Sequence, residues 1–184
     1  MIRKIRKRIY LAVEGESEQS FIKFLQHVLD QNNIHAHLDC AVLGGGGYET
    51  MLKKAIIYRA RKEKSKGNAK ISILIVDTDR ADTNEDGWSL EQLVLEAKKN
   101  NFAVCLQRPN LEGLLLRMLS ENERSITIAS SAHKKLLAVW KDYQKPADAR
   151  VLINKFSGED LIRTAKYDSD LRDLLALTSD RKFP

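Results

Sequence analysis

Residues 71–79 read ISILIVDTD, an Ile/Leu/Val run interrupted only by Ser72 that ends in two acids one residue apart. A strand with one wet face alternates apolar and polar residues. A run apolar on both faces is the pattern of a strand inside a parallel sheet, covered by helices on either side. Residues 8–13 (RIYLAV) form a shorter run of the same kind, and they too lead into acids, Glu14, Glu16 and Glu18. Residues 34–43 (IHAHLDCAVL) alternate and then turn fully apolar, giving a second strand closed by Gly44–Gly47. Residues 102–107 (FAVCLQ) give a fourth.

Helical periodicity fills the gaps. Phe21, Phe24, Leu25, Val28 and Leu29 recur at three- and four-residue spacing, with Ser17 placed as the cap. Residues 48–66 predict a long basic helix closed by Gly67-Asn68, residues 89–100 a third, and LEGLLLRML after Pro109-Asn110 a short apolar one. Residues 125–176 read as helical, with one short strand placed at 149–153 (ARVLI). Strands alternating with helices predict an α/β fold, a mainly parallel four-stranded sheet flanked by helices with a helical C-terminal extension. The spans are 1–122 for the sheet domain and 123–184 for an extension packed on it.

Composition narrows the partners. In 184 residues, 31 Lys and Arg against 25 Asp and Glu leave a net charge of +6. The excess is local: Arg3, Lys4, Arg6, Lys7 and Arg8 at the start, and the helix bearing Lys53, Lys54, Arg59, Arg61, Lys62, Lys64 and Lys66. Basic blocks beside concentrated acids suit a polyanion such as nucleic acid, with Lys53, Lys54, Arg61 and Lys62 as candidate contacts. A solvated helix face is the plainer alternative. No apolar run approaches the roughly 20 residues that span a membrane. The charged N-terminus leads into only a short apolar segment, so it does not read as a secretion signal. Cys40 and Cys105 make no C-x-x-C pair, which excludes a zinc ribbon and fits reduced thiols in the cytoplasm. GGGGYETM lacks the G-K-[ST] ending of a P-loop; a tight turn and a backbone approach to phosphate both remain open. His27, His35, His37 and His133 form no metal-ligand pair and read as surface or sheet-face residues.

The acids converge by topology. Ligands of parallel α/β sheets bind beyond the carboxyl ends of the strands. Glu14 follows the first strand, Asp77 and Asp79 end the third, and Glu112 follows the fourth, so all four fall on one edge. Asp77 and Asp79, two residues apart in extended chain, can share a face. Two close carboxylates repel, and Mg²⁺ or Mn²⁺ between them removes that penalty. Glu14 or Glu18 would complete a partial shell, although Glu18 also suits the dipole of a helix N-terminus. Asp82, Glu85 and Asp86 read as solvated loop residues.

These motifs resemble the TOPRIM fold of topoisomerases, primases and OLD-family nucleases, with its Glu after the first strand (VEGESE) and D-x-D after the third (VDTDRAD). The RloB-like branch is similar in more detail: V-E-G-x-[ST]-E running into Phe21 and Phe24, a Gly-rich turn before a long helix, and a Glu-containing segment after the last strand. Here that segment is RPNLEGLLLRML, with Pro and Asn inverted relative to the branch. An aromatic-x-Lys further on matches Tyr143 to Lys145, and Lys155 in INKF competes for the same role. The resemblance implies a metal-dependent nuclease acting on DNA or RNA. Asp77 and Asp79 would hold metal, and Glu14 would be a ligand or general acid/base. Glu18 and Glu112 would be ligands of a second ion, and Lys145 would stabilise charge on phosphate. It also implies an anti-phage effector working with an ABC-type ATPase, with homo-oligomerisation left open. Two rivals stand beside it: a haloacid-dehalogenase-like phosphatase with Asp77 as nucleophile, and a non-catalytic module that binds nucleic acid or an ATPase.

Overall fold

The computed structural model describes residues 6–79, 87–120 and 126–179. The elements run β1 (Lys7–Val13), α1 (Glu16–Gln31), β2 (Ala36–Val42), α2 (Tyr48–Lys66), β3 (Ile71–Asp77), α3 (Leu90–Lys99), β4 (Ala103–Gln107) and α4 (Leu111–Leu119). Four more helices follow: α5 (Ala129–Val139), α6 (Ala149–Lys155), α7 (Gly158–Ala165) and α8 (Ser169–Thr178). The strands form one sheet in the order β2-β1-β3-β4, with every neighbouring pair parallel. This is the α/β, Rossmann-like class that the alternation implies.

The apolar run at 71–77 explains the layering. Ile73 and Ile75 point into a core built with Ile9, Leu11, Val13, α1 and the helices from α4 onward. Leu74 and Val76 point the other way, into a second core with Tyr10, Ala12, α2 and α3. Successive strand residues face opposite sides, so a central strand needs apolar residues at every position. The helices α5–α8 share the first core with α1 and α4, and their buried anchors are Leu136, Leu152, Leu161 and Leu175. The boundary placed at 122/123 and the acids Asp82, Glu85 and Asp86 lie outside the described residues. Among the described residues no helix is long and apolar enough to cross a membrane.

Two local expectations are corrected. Residues 149–153 are the start of α6, not a strand. Asp148 caps that helix by accepting from the Arg150 N–H at 2.7 Å, and Leu152 is buried while Val151 is exposed. The β-branched residues of ARVLI are therefore overridden by a cap and by packing of one face. Ser17 is not the cap of α1. Gly15 occupies that position, and the Glu18 carboxylate reaches back to accept from the Gly15 N–H at 2.9 Å. Ser17 lies inside the helix, where its hydroxyl accepts from the Ala147 N–H at 3.1 Å.

Both sheet edges are closed by side chains. On β2, Gln26 accepts from the Leu38 N–H at 2.7 Å and donates to the Ala36 carbonyl at 3.1 Å, while the Lys62 ammonium donates to the Cys40 carbonyl at 2.9 Å. On β4, the Asp170 carboxylate accepts from the Leu106 N–H at 3.3 Å. Exposed edges invite pairing with other chains, and these side chains blunt them. Gln26→Ala strips two partners from β2 at once. The expected result is a loss of about 1–3 kcal/mol in urea unfolding, with greater self-association by light scattering.

Candidate active site

β1 and β3 lie side by side with Val13 opposite Ile75, so Glu14 and Asp77 leave the sheet as neighbours. Asp77 pairs across to Gln107 on β4. Beyond it, the backbone N–H groups of Thr78 and Asp79 both donate to the Pro109 carbonyl, at 2.8 and 3.0 Å. That clamp holds the D-x-D against the turn leading into α4. Asn110 begins α4 by accepting from the Gly113 N–H at 3.1 Å. A Cβ on Gly113 would meet Pro109 Cδ at 2.7 Å, so only glycine allows this turn to fold so tightly beside the D-x-D. Glu112 thereby sits in the first turn of α4, 1 % exposed.

A cavity of about 390 Å³ opens at this edge, lined by Glu14, Glu16, Glu18, Asp77 and Asp79 together with Lys145. Its walls come from β1, α1, β3 and the segment before α6. The Ser17–Ala147 hydrogen bond brings that last segment onto α1. A second tie comes from Tyr143, whose buried phenol donates to Glu112 Oε1 at 3.1 Å. The Lys145 ammonium pairs with the same oxygen at 2.8 Å. Glu14, Glu18, Asp77 and Asp79 thus line one cavity, and Lys145 joins them. Glu112 stands behind, bonded to Lys145. The competing Lys155 lies elsewhere, its ammonium 5.3 Å from the centre of the Trp140 ring.

His133, expected from the sequence to be a surface or sheet-face residue, lies beside the site. It sits on α5 with Nδ1 3.9 Å from Glu112 Oε1 and its ring edge-on to Tyr143. No spacing in the chain signals this, because the contact joins α4, α5 and the 143–145 segment.

The electrostatics are one-sided. Burial, and then the charges of Glu18, Glu14, Asp79 and Glu112, push the Asp77 carboxyl up to about 9. Burial also lifts Glu18 above its ordinary value, against hydrogen bonds that favour its charged form. Burial by itself would lower Lys145, but the hydrogen bond and charge of Glu112, with Glu18 and Asp77, raise it. Among the described residues, Asp77 Oδ1 and Glu112 Oε2 are buried without a hydrogen-bond partner. Buried polar atoms are rarely left so, and one remedy is an ion.

Three or more His, Cys, Asp or Glu side chains do not already converge as a ligand set among the described residues. The acids ring the cavity rather than close on a point. The donor set nevertheless fits a hard divalent cation: carboxylate oxygens, one of them orphaned, with space between them.

The Gly-rich turn and α2 flank the site. Gly44, Gly45 and Gly46 all have positive φ, and Gly45 comes close to Glu14 Oε1, so the turn passes beside the site. Lys54 fastens that turn, donating to the carbonyls of Leu43 and Gly45 at 2.9 and 3.1 Å. Lys62 turns inward to the buried Asp39, which Arg8 and Lys66 also contact. Burial opposes it, yet the bonds from Lys62 and Arg8 hold Asp39 down at about 2. Lys53 pairs with Glu49 at 2.7 Å, and the Arg61 guanidinium lies 5.7 Å from the centre of the Tyr58 ring. Tyr48 at the head of α2 reaches the Asp77 carbonyl at 3.4 Å. Arg61 and Lys62 lie a further thirteen and fourteen residues along, about 20 Å away. The four cations therefore do not form one rim of the cavity.

Comparison of this chain with protein-family models, curated proteins and solved structures returns no match.

The Asp77 shift fixes the sign of a pH effect. Its carboxyl ionises near 3.8 when unfolded and near 9 when folded. The folded chain therefore holds the extra proton, so this contribution to stability is complete below about pH 4 and is lost as pH rises towards 9. Without metal, Asp77→Asn should be more stable than the parent at about pH 8–9 and should remove up to about 1.4 kcal/mol per pH unit of slope. Parallel pH profiles for the two proteins in thermal unfolding would contradict the assignment.

Proposed function

We propose that this chain is a metal-dependent phosphodiesterase of TOPRIM type that cleaves DNA or RNA. One observation carries the reading: a half-buried carboxyl at the end of β3, its Oδ1 buried and unpartnered, in a cavity ringed by further carboxylates and a lysine. A site built for anionic substrate with acids alone would repel it. With Mg²⁺ or Mn²⁺ held by Glu14, Asp77 and Asp79, the sign inverts and phosphate can approach. Such an ion supplies charge neutralisation and polarisation of the phosphodiester.

The chain's own residues have distinct tasks. Asp77 is set by the sheet and Asp79 by the Pro109 clamp, so both carboxylates are oriented before substrate arrives. Glu14 would act as a ligand or as the general acid/base that exchanges a proton with an attacking water, the latter contributing roughly 10²–10⁴-fold. Lys145, with its side chain about half exposed beside the same cavity, would stabilise negative charge developing on phosphate. The partner ABC-type ATPase and the anti-phage role rest on the sequence resemblance alone.

The test is cleavage of plasmid DNA and of RNA with Mg²⁺ or Mn²⁺. Activity should fall at least about 100-fold in Glu14→Gln and in Asp77→Asn, with folding retained. Undiminished turnover in both variants would remove this mechanism. Covalent phosphorylation at Asp77 would support the phosphatase instead.

Nucleic-acid contacts along α2 are best probed with Arg61→Ala plus Lys64→Ala, because Lys62 is committed to Asp39. A duplex rises about 3.4 Å per base pair, so the outer half of α2 lies about six base pairs from the cavity. The pair of changes should weaken binding of a 20-mer and flatten its salt dependence, leaving a tetranucleotide unaffected. Equal effects on both lengths would place these cations elsewhere on the substrate path.

A further inference from the structure

We propose that the cavity takes a single divalent ion, at Asp77 with Glu14 and Asp79, and that the Lys145 ammonium stands in the electrostatic place of a second. This rests on the metal-dependent reading above and sharpens it, because the resemblance alone would assign Glu18 and Glu112 to a second ion.

The argument starts from Glu112. At 1 % exposure its carboxylate is a buried charge, and buried charges persist only when paired. The pairing is complete on one oxygen. Oε1 receives the Tyr143 phenol at 3.1 Å and the Lys145 ammonium at 2.8 Å. The remaining oxygen, Oε2, has no donor. A cation could reach only Oε2, and there it would face an ammonium already in contact with the other oxygen of the same carboxylate. Two positive groups so placed repel strongly in a partly desolvated site. Glu18 is similarly engaged, its Oε2 accepting from the Gly15 N–H at 2.9 Å as part of the start of α1. Withdrawing that oxygen would uncap the helix.

Lys145 is not held there by chance. The Ser17–Ala147 and Tyr143–Glu112 hydrogen bonds fix the chain on both sides of it. Its ammonium also interacts with Glu18 and Asp77, so its charge is shared across the acids that a second ion would serve. Asp77 is different: its buried Oδ1 has no hydrogen-bond donor, so no protein cation or N–H already occupies that oxygen. A lysine in this place would meet the phosphate directly in the reaction, giving it a single fixed charge instead of an exchangeable ion.

The experiment is Mn²⁺ titration of the metal-free full chain, by calorimetry and by the loss of the free-Mn²⁺ electron paramagnetic resonance signal. One Mn²⁺ per chain is expected, abolished in Asp77→Asn. Lys145→Met should gain a second equivalent or bind Mn²⁺ about tenfold more tightly, and Lys155→Met should match the parent. Lys145→Gln serves as a second neutral variant if the methionine form misfolds by circular dichroism. Two equivalents in the parent, or unchanged Mn²⁺ binding in both Lys145 variants, would overturn the single-ion inference while leaving the phosphodiesterase reading standing. No Mn²⁺ binding by the parent would overturn both.

Discussion

The arrangement depends on one unfavourable interaction, the half-burial of the Asp77 carboxyl at the end of β3 among like charges. A protein does not ordinarily place an acid where burial and four neighbouring carboxylates all oppose its ionisation. In most folds such a residue would be replaced by Asn or turned to solvent. Here the backbone denies it that freedom. The sheet holds Asp77 opposite Gln107, and the next two residues are bonded to the Pro109 carbonyl. The acid is thus placed by strand pairing and by the Pro109 contact, and a preorganised site is best built on such elements.

The C-terminal helices take part in that site. Their apolar anchors pack on α1 and the sheet, but the informative contacts are polar. Ser17 receives the Ala147 N–H, and Glu112 receives Tyr143 and Lys145. These bonds place a cation from the second half of the chain beside acids from the first. Removing the helical extension would therefore strip the site of its lysine and of the Tyr143 and Lys145 partners of Glu112.

Basic composition and basic surface turn out to be separate matters. On α2, Lys54 fastens the glycine turn and Lys62 neutralises Asp39 from the neighbouring strand. Counting charges along the helix credits both to a docking surface. The three-dimensional partners lie on β2 and in the turn before α2, and no helical spacing reveals them. His133 is the converse case, a residue with no motif that lies beside Glu112 once three segments meet.

What the sequence determined is the set of elements and the edge where the acids gather. Apolar periodicity marks β1, β3 and α1 because burial acts on every second or every third and fourth residue, and the parallel βα alternation then sends Glu14, Asp77, Asp79 and Glu112 to one side. Short-range signals mislead at two places: at 149–153 β-branched residues suggest a strand where Asp148 caps a helix, and at Ser17 a good capping residue hides the Glu18 bond to Gly15. Tertiary structure alone decided which lysine enters the site and which cations are already neutralised. Those outcomes rest on contacts between residues distant in the chain, such as Tyr143 with Glu112, whose geometry exists only after the helices have packed.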